Sequence, residues 1–317
     1  MKVWLIIAAV LIVLGLALFT GIMSANHWNF KALSTTQYET NVTQIDQDFQ
    51  SINLEIKTAH FRFLPSADGV ARVECYEETT AKHTVTVENG TLCIRAENAK
   101  KWYEHIGVNF DTTKITLYLP KSEYDALFVK GSTGDGTIPE AFSFESMDIS
   151  LSTGYVTCLA STLGKMKIRT STGSIRVDKV RAGSLDLSTT TGRIAAREVI
   201  CDGDIRVHVS TGKAVLTDVS CQSLTSDGNT GDLILRRVIA SGDFSIERST
   251  GDVTLEACDA ATLSITTDTG DVTGTLLSEK VFIAGTDTGR VSVPKTTAGG
   301  KCEITTDTGD IQIDLVK

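Results

Sequence analysis

Aspartates recur at two fixed places beside a repeated Thr-Gly step. Asp232, Asp252, Asp271 and Asp310 follow the glycine directly, and Asp268, Asp287 and Asp307 lie two residues before it. Carboxylates repeated in this way could hold Ca2+, which takes several oxygen ligands. Asp252, Asp268, Asp271, Asp287, Asp307 and Asp310 are the residues such a site would use. Against it stand Arg290, which interrupts one row, the lack of a glycine-rich nonapeptide calcium repeat, and the ordinary use of Asp in turns. The expectation is solvated turn chemistry and no cofactor, with Ca2+ as the alternative.

The other reactive side chains form no recognisable constellation. His27, His60, His83, His105 and His208 have no nucleophile-elbow, metalloprotease or phosphate-loop residues around them. Parallel β-helices do host polysaccharide lyases and hydrolases, but those enzymes build clefts from long loops, and the regular part of this chain leaves no room for one. The loop Lys100 to His105 carries Trp102 and Tyr103, whose rings offer an apolar face to a glycan or lipid headgroup; packing of this loop as a cap is the competing expectation. Repeated Thr-x-Thr, as in Thr170-Thr172, would suit an ice-binding face only if both threonines pointed outward, and the alternation turns the first one in.

Seven cysteines include no Cys-x-x-Cys, so neither zinc nor a redox pair is signalled. Cys158, Cys258 and Cys302 fall on inward positions. Cys201 and Cys221, each nine places after a Thr-Gly glycine, should stack on adjacent coils at a separation that permits a disulfide, although two free thiols are the simpler expectation. With 39 acidic against 30 basic residues the net charge is −9, and no basic stripe interleaves with aromatics, which argues against nucleic acid.

The elements that must position these groups are repeats. Ten Thr-Gly glycines, Gly134, Gly154, Gly173, Gly192, Gly212, Gly231, Gly251, Gly270, Gly289 and Gly309, are 19 or 20 residues apart. A unit of this length cannot bury its own apolar face and must lie against its neighbours. Apolar residues fall seven and five places before the glycine and two, four and seven after it, for example Leu185, Leu187, Ile194, Ala196 and Val199 around Gly192. Period-two alternation on both sides of a bend marks two half-buried strands. Three places before the glycine a row of mostly threonine (Thr170, Thr189, Thr267, Thr286, Thr306) faces inward, where stacked hydroxyls can bond each other or the backbone. Arg248 occupies that slot once and is expected to reach solvent past a bend. Identical spacing lays like over like, so the fold class is all-β, a parallel β-solenoid of two-strand coils. At about 4.8 Å per coil, ten coils make a rod roughly 50 Å long.

Ahead of the repeats, Val3 to Met23 is free of charge and long enough to span a bilayer. No clean small-x-small cleavage site follows it, so it should persist as a signal anchor, and Lys2 argues for an outward-facing body. The expected organisation is a transmembrane anchor over 1–24, a polar tether over 25–45, irregular N-terminal coils and a cap over 46–126 with a hairpin at Asn89-Gly90, and regular repeats over 127–317. The final strand, Ile311 to Val316, has nothing after it to cover its edge, which predicts self-association or partner docking there, with protection of the edge by the charges of Asp310, Asp314 and Lys317 as the alternative.

The order Asp48-Phe49-x-Ser51-Ile52, Pro65, Asn89-Gly90-Thr91-Leu92, Lys100-Lys101-Trp102, Ile115-Thr116-Leu117-Tyr118-Leu119-Pro120-Lys121, Tyr124, Leu127 and the first Thr-Gly-Asp resembles a widespread bacterial family. Its members are membrane-anchored β-strand repeat proteins of unknown function, provisionally labelled adhesins, some in cell-envelope stress operons. The resemblance covers about residues 46 to 317 and carries no catalytic motif. It implies a non-catalytic extracytoplasmic scaffold at the cell membrane, for adhesion, ligand contact or envelope sensing, in touch with envelope protein or glycan. The alternative is a β-helix enzyme acting on cell-wall or other polysaccharide.

Overall fold

The computed structural model describes residues 2–25, 27–29, 36–97 and 111–316. One helix, α1 (Lys2–Ala25), precedes an all-β body. Its Val3–Ala25 stretch contains an 18-residue window of mean hydropathy 2.9 in which no residue is buried, so it is long and apolar enough to cross a membrane; Met23, near its end, is buried.

The repeats stack in parallel, and the register places like over like: Ile168 pairs with Leu187 and Leu187 with Val207, while Gly173 pairs with Gly192 and Gly192 with Gly212. The five inward positions around Gly173, Gly192 and Gly251 are all buried and form one continuous core. The glycine corner explains the Thr-Gly step twice over. All ten glycines have φ between 127° and 155°, a region closed to other residues. In addition, a Cβ on any of them would come within 1.5 to 2.3 Å of a carbonyl oxygen on the next coil. The five coils from Gly173 to Gly251 bend again six residues later, where Lys179, Glu198, Asp218, Arg237 and Ala257 take φ of 49° to 56°. No glycine marks that second corner, so the sequence pattern passes over it.

Both ends depart from simple stacking in chain order. At the N-terminal end the strands are β1 (Tyr38–Ile45), β2 (Ser51–Thr58), β3 (His60–Pro65), β4 (Ala71–Glu78), β5 (His83–Glu88), β6 (Thr91–Ala96), β7 (Lys114–Leu119), β8 (Glu123–Thr133) and β9 (Gly136–Ile138). The β2–β3 coil lies between β6–β7 on one side and β8–β9 on the other, all in parallel. β4, β1 and β5 close this end by antiparallel pairing, with Asn89 and Gly90 at the positive φ values of the β5–β6 hairpin. Strand structure thus begins at Tyr38, inside the segment 25–45 expected as a tether, because β1 covers the edge of β4.

At the far end the last coil of the chain is not the last coil of the stack. Gly300–Thr308 and Ile311–Leu315 enter between the coil of Thr262–Leu276 and that of Lys280–Ser292. The glycine ladder follows the same order: Gly309 lies on Gly270, and Gly289 on Gly309. Gly299 and Gly300 admit the returning chain, since a Cβ on either would stand 1.8 Å from the carbonyl oxygen of Glu279 or Ala261. This corrects the expected open edge at Ile311 to Val316 for its first two residues, while Ile313, Asp314 and Leu315 pair only with Gly274, Thr275 and Leu276. Ile311 and Gln312 are paired on both sides, and the terminal strand is Lys280–Thr288. On that strand Ile283 is 51% exposed at a slot that holds Asp148, Lys167, Arg206 and Glu303 in other coils.

Candidate functional site

The aspartates after the glycine are engaged in the stack itself. Oδ1 of Asp135 accepts the backbone N–H of Tyr155 at 2.8 Å, that of Asp252 accepts from Asp271 at 3.0 Å, and that of Asp271 from Asp310 at 2.7 Å. Asp310 in turn accepts the backbone N–H of Arg290 at 2.9 Å and its guanidinium at 3.0 Å. These two bonds, the backbone one first, hold its carboxyl below the usual range. Each carboxylate therefore ties one coil to the next at the corner. Asp268, Asp287 and Asp307 stand exposed on the other side of the glycine. Among the described residues, no group drawn from the six aspartates brings three ligand oxygens within 4.8 Å of one another; the one such cluster is Cys75, Glu77 and His83.

The threonine row has a matching role. Hydroxyls of Thr189, Thr286 and Thr306 donate to the carbonyls of Gly173, Gly309 and Gly270 at 3.3, 3.0 and 3.1 Å. They bring a side-chain donor to these carbonyls at the bend, where buried polar groups need partners. The first threonine of each Thr-x-Thr is thus inward and its hydroxyl spent on backbone.

Arg248 does not reach solvent. It is 2% exposed, its Nη2 donates to Ser226 Oγ at 2.6 Å, and its Nε has no partner. Burial pushes its pKa down, and nearby Asp227 pulls it partly back. Room comes from the coil below, where Gly228 occupies the matching slot; a Cβ there would sit 2.1 Å from Arg248 Nη1. The signal in the sequence was that pairing of Arg248 with a glycine one coil earlier. A buried cation without a carboxylate contact is costly, so Arg248→Met is expected to leave stability unchanged or raise it by about 1–4 kcal/mol. Thermal melting checks this, and a clear drop would show that the guanidinium is held by more than Ser226.

The nearest approach to a catalytic arrangement is also one that spacing alone conceals. His208 Nδ1 hydrogen-bonds Asp227 on the next coil, and its Nε2 lies 2.9 Å from Ser210 Oγ. The order carboxylate, imidazole, hydroxyl is that of a nucleophilic relay. The three lie on the outer surface, however, and none of them lines the two grooves described next.

The first groove, about 730 Å3, runs past Gln50, Lys121, Glu123, Asp125, Glu145 and Leu163. The second, about 520 Å3, crosses the first coils beside Phe128, Lys130, Asp148, Lys167 and Arg169. Phe128 is 49% exposed at an outward slot that is otherwise polar in most coils, a departure that the sequence pattern contains. Trp102 and Tyr103, the contact residues expected from sequence, lie outside the described residues. All seven cysteines are free and buried, Cys201 and Cys221 included. Burial first and the neighbouring Cys201 second push the Cys221 thiol up to about 12, which makes it a packing group and not a nucleophile.

Two solved structures share this architecture. One, a candidate lipid-binding protein from Parabacteroides distasonis ATCC 8503, is 14% identical, with 89% of this chain and 98% of that one covered at a TM-score of 0.53. The other, a candidate adhesin from Parabacteroides merdae ATCC 43184, is 11% identical over 88% and 97% at a TM-score of 0.50. At such identities the likeness is one of fold. No curated protein sequence matches the chain. The family model for Toastrack DUF4097 matches residues 49–208 and again 198–317, nearly the whole β body, and the chain belongs to that family.

Proposed function

We propose that the protein is a non-catalytic scaffold, held in the cell membrane by α1, whose solenoid stands outside the cytoplasm for surface adhesion, ligand contact or envelope-stress sensing. The observation that carries this reading is the continuity of the ladders. Glycine, threonine and aspartate columns spend their polar groups on joining coil to coil, and the parallel register runs through the repeats without an inserted loop to build a cleft. The similar structures described as adhesin and lipid-binding candidates support a contact role. Phe128, an exposed aromatic face in the groove that Lys130, Asp148 and Lys167 also line, is the kind of surface that a sugar ring or lipid headgroup would meet. Trp102 and Tyr103 remain proposed contacts of the same type.

Expression in a bacterial host should leave the full-mass chain in the membrane fraction, with the β body digested by protease added to cells whose outer layers have been opened but whose inner membrane is intact. A soluble form starting near residue 25 would overturn the anchor, and digestion only after lysis would overturn the orientation. Retention of envelope glycan or lipid by the protein, reduced in Phe128→Ala, would support contact. Turnover of a cell-wall polysaccharide by the purified chain would favour the enzyme reading instead.

A further inference from the structure

Cys75 and Glu77 lie two residues apart on β4 and so share a face, and the turn after β4 brings His83, the first residue of β5, back against them. One ligand atom from each, the thiol sulfur, a carboxylate oxygen and a ring nitrogen, lies within 4.8 Å of the other two. The side chains of Glu77 and His83 are 2% and 6% exposed, and Cys75 is buried.

The hydrogen bonds fix the cluster and leave it incomplete. Glu77 Oε1 accepts from Asn41 Nδ2 at 2.9 Å, while Oε2 accepts the backbone N–H of His83 at 2.8 Å and faces its Nδ1 at 2.7 Å. A carboxylate offers about four lone-pair sites, and these contacts use three. With Nδ1 on the carboxylate, the ring presents Nε2, which is buried and has no partner. An orphaned buried ring nitrogen is costly unless something is there to bind it. A carboxylate that holds a buried histidine through one ring nitrogen and leaves the other without a partner is the support that metal-binding histidines use.

We propose that Cys75, Glu77 and His83 bind a divalent transition metal of the zinc class. Sulfur, imidazole and carboxylate together suit Zn2+ and select against Ca2+ and Mg2+, which prefer oxygen alone. Three protein ligands leave a further position for water or another group. The spacing Cys-x-Glu-x5-His matches none of the zinc patterns sought in the sequence, because Cys and Glu come from one strand and His from the next across a turn.

The test uses the full-length protein in detergent, stripped with a chelator and titrated with Co2+ and Zn2+. One equivalent of Co2+ should produce a thiolate-to-metal charge-transfer band, and Zn2+ should displace it and raise the melting temperature. Cys75→Ser should abolish the band and His83→Gln should weaken Co2+ binding more than tenfold, while Cys302→Ser, at the opposite end of the stack, leaves both unchanged. Absence of the band in the wild-type chain, or its persistence in Cys75→Ser, would overturn the assignment. Should Cys75→Ser fail to fold, the wild-type titration and His83→Gln decide: unchanged affinity in His83→Gln would equally reject the site.

Discussion

Gly192→Ala is expected to lower the stability of the solenoid by about 4 kcal/mol or more, one of the largest effects available from a single methyl group. Two independent costs add. The backbone at Gly192 has φ 150°, which an L-alanine side chain does not tolerate, and the new Cβ would stand 1.7 Å from the carbonyl oxygen of Gly173. That oxygen belongs to the neighbouring backbone and already accepts the Thr189 hydroxyl, so it cannot move aside without opening the corner of both coils. Gly285→Ala provides the control. Gly285 lies on the terminal strand with nothing within 4 Å of the Cβ position, and its substitution should change stability by less than about 0.5 kcal/mol. Denaturant or thermal melting of the two variants reads the difference directly. Equal losses would mean that the glycine column is not held at this close approach.

A charge on the inward face should cost a similar amount for a different reason. Leu187 is fully buried, with Ile168 below and Val207 above it in register. In Leu187→Asp a carboxylate would lie in an apolar stack with no partner, and a loss of about 4 kcal/mol is expected, either through unfolding or through retention of a proton. Ser188, the next residue, faces outward between Arg169 and His208, where solvent screens added charge. Ser188→Lys should therefore be nearly silent, within about 0.5 kcal/mol. Melting temperatures that fall equally for the two variants would contradict the division into inner and outer faces. Because each coil touches only its neighbours, the Leu187→Asp loss should be concentrated in the central coils, and hydrogen exchange can localise it.

The inner and outer faces, the parallel register of the central coils, the glycine corner and an N-terminal helix long and apolar enough to cross a membrane were legible in the residues. Each is a local pattern: an alternation of two for strands, a period of 19 or 20 for stacking, and a length of uncharged residues for the bilayer. The order of coils at the two ends was not, and repeats explain why. When units are alike, the segment Gly300–Leu315 can pair as well with Thr262–Leu276 as with Lys280–Ser292, and it does both, admitted by the close approaches at Gly299 and Gly300. Side-chain partners drawn from another coil or across a turn were hidden for the same reason. The inward turn of Arg248 depends on Gly228, the link of His208 on Asp227, and the burial of His83 on Glu77. The aspartate column after the glycine shows the converse: its spacing was plain in the sequence, but the backbone N–H that each carboxylate accepts comes from the neighbouring coil. Periodicity fixes which way a side chain points, whereas what it meets there depends on which stretch of chain is stacked against it.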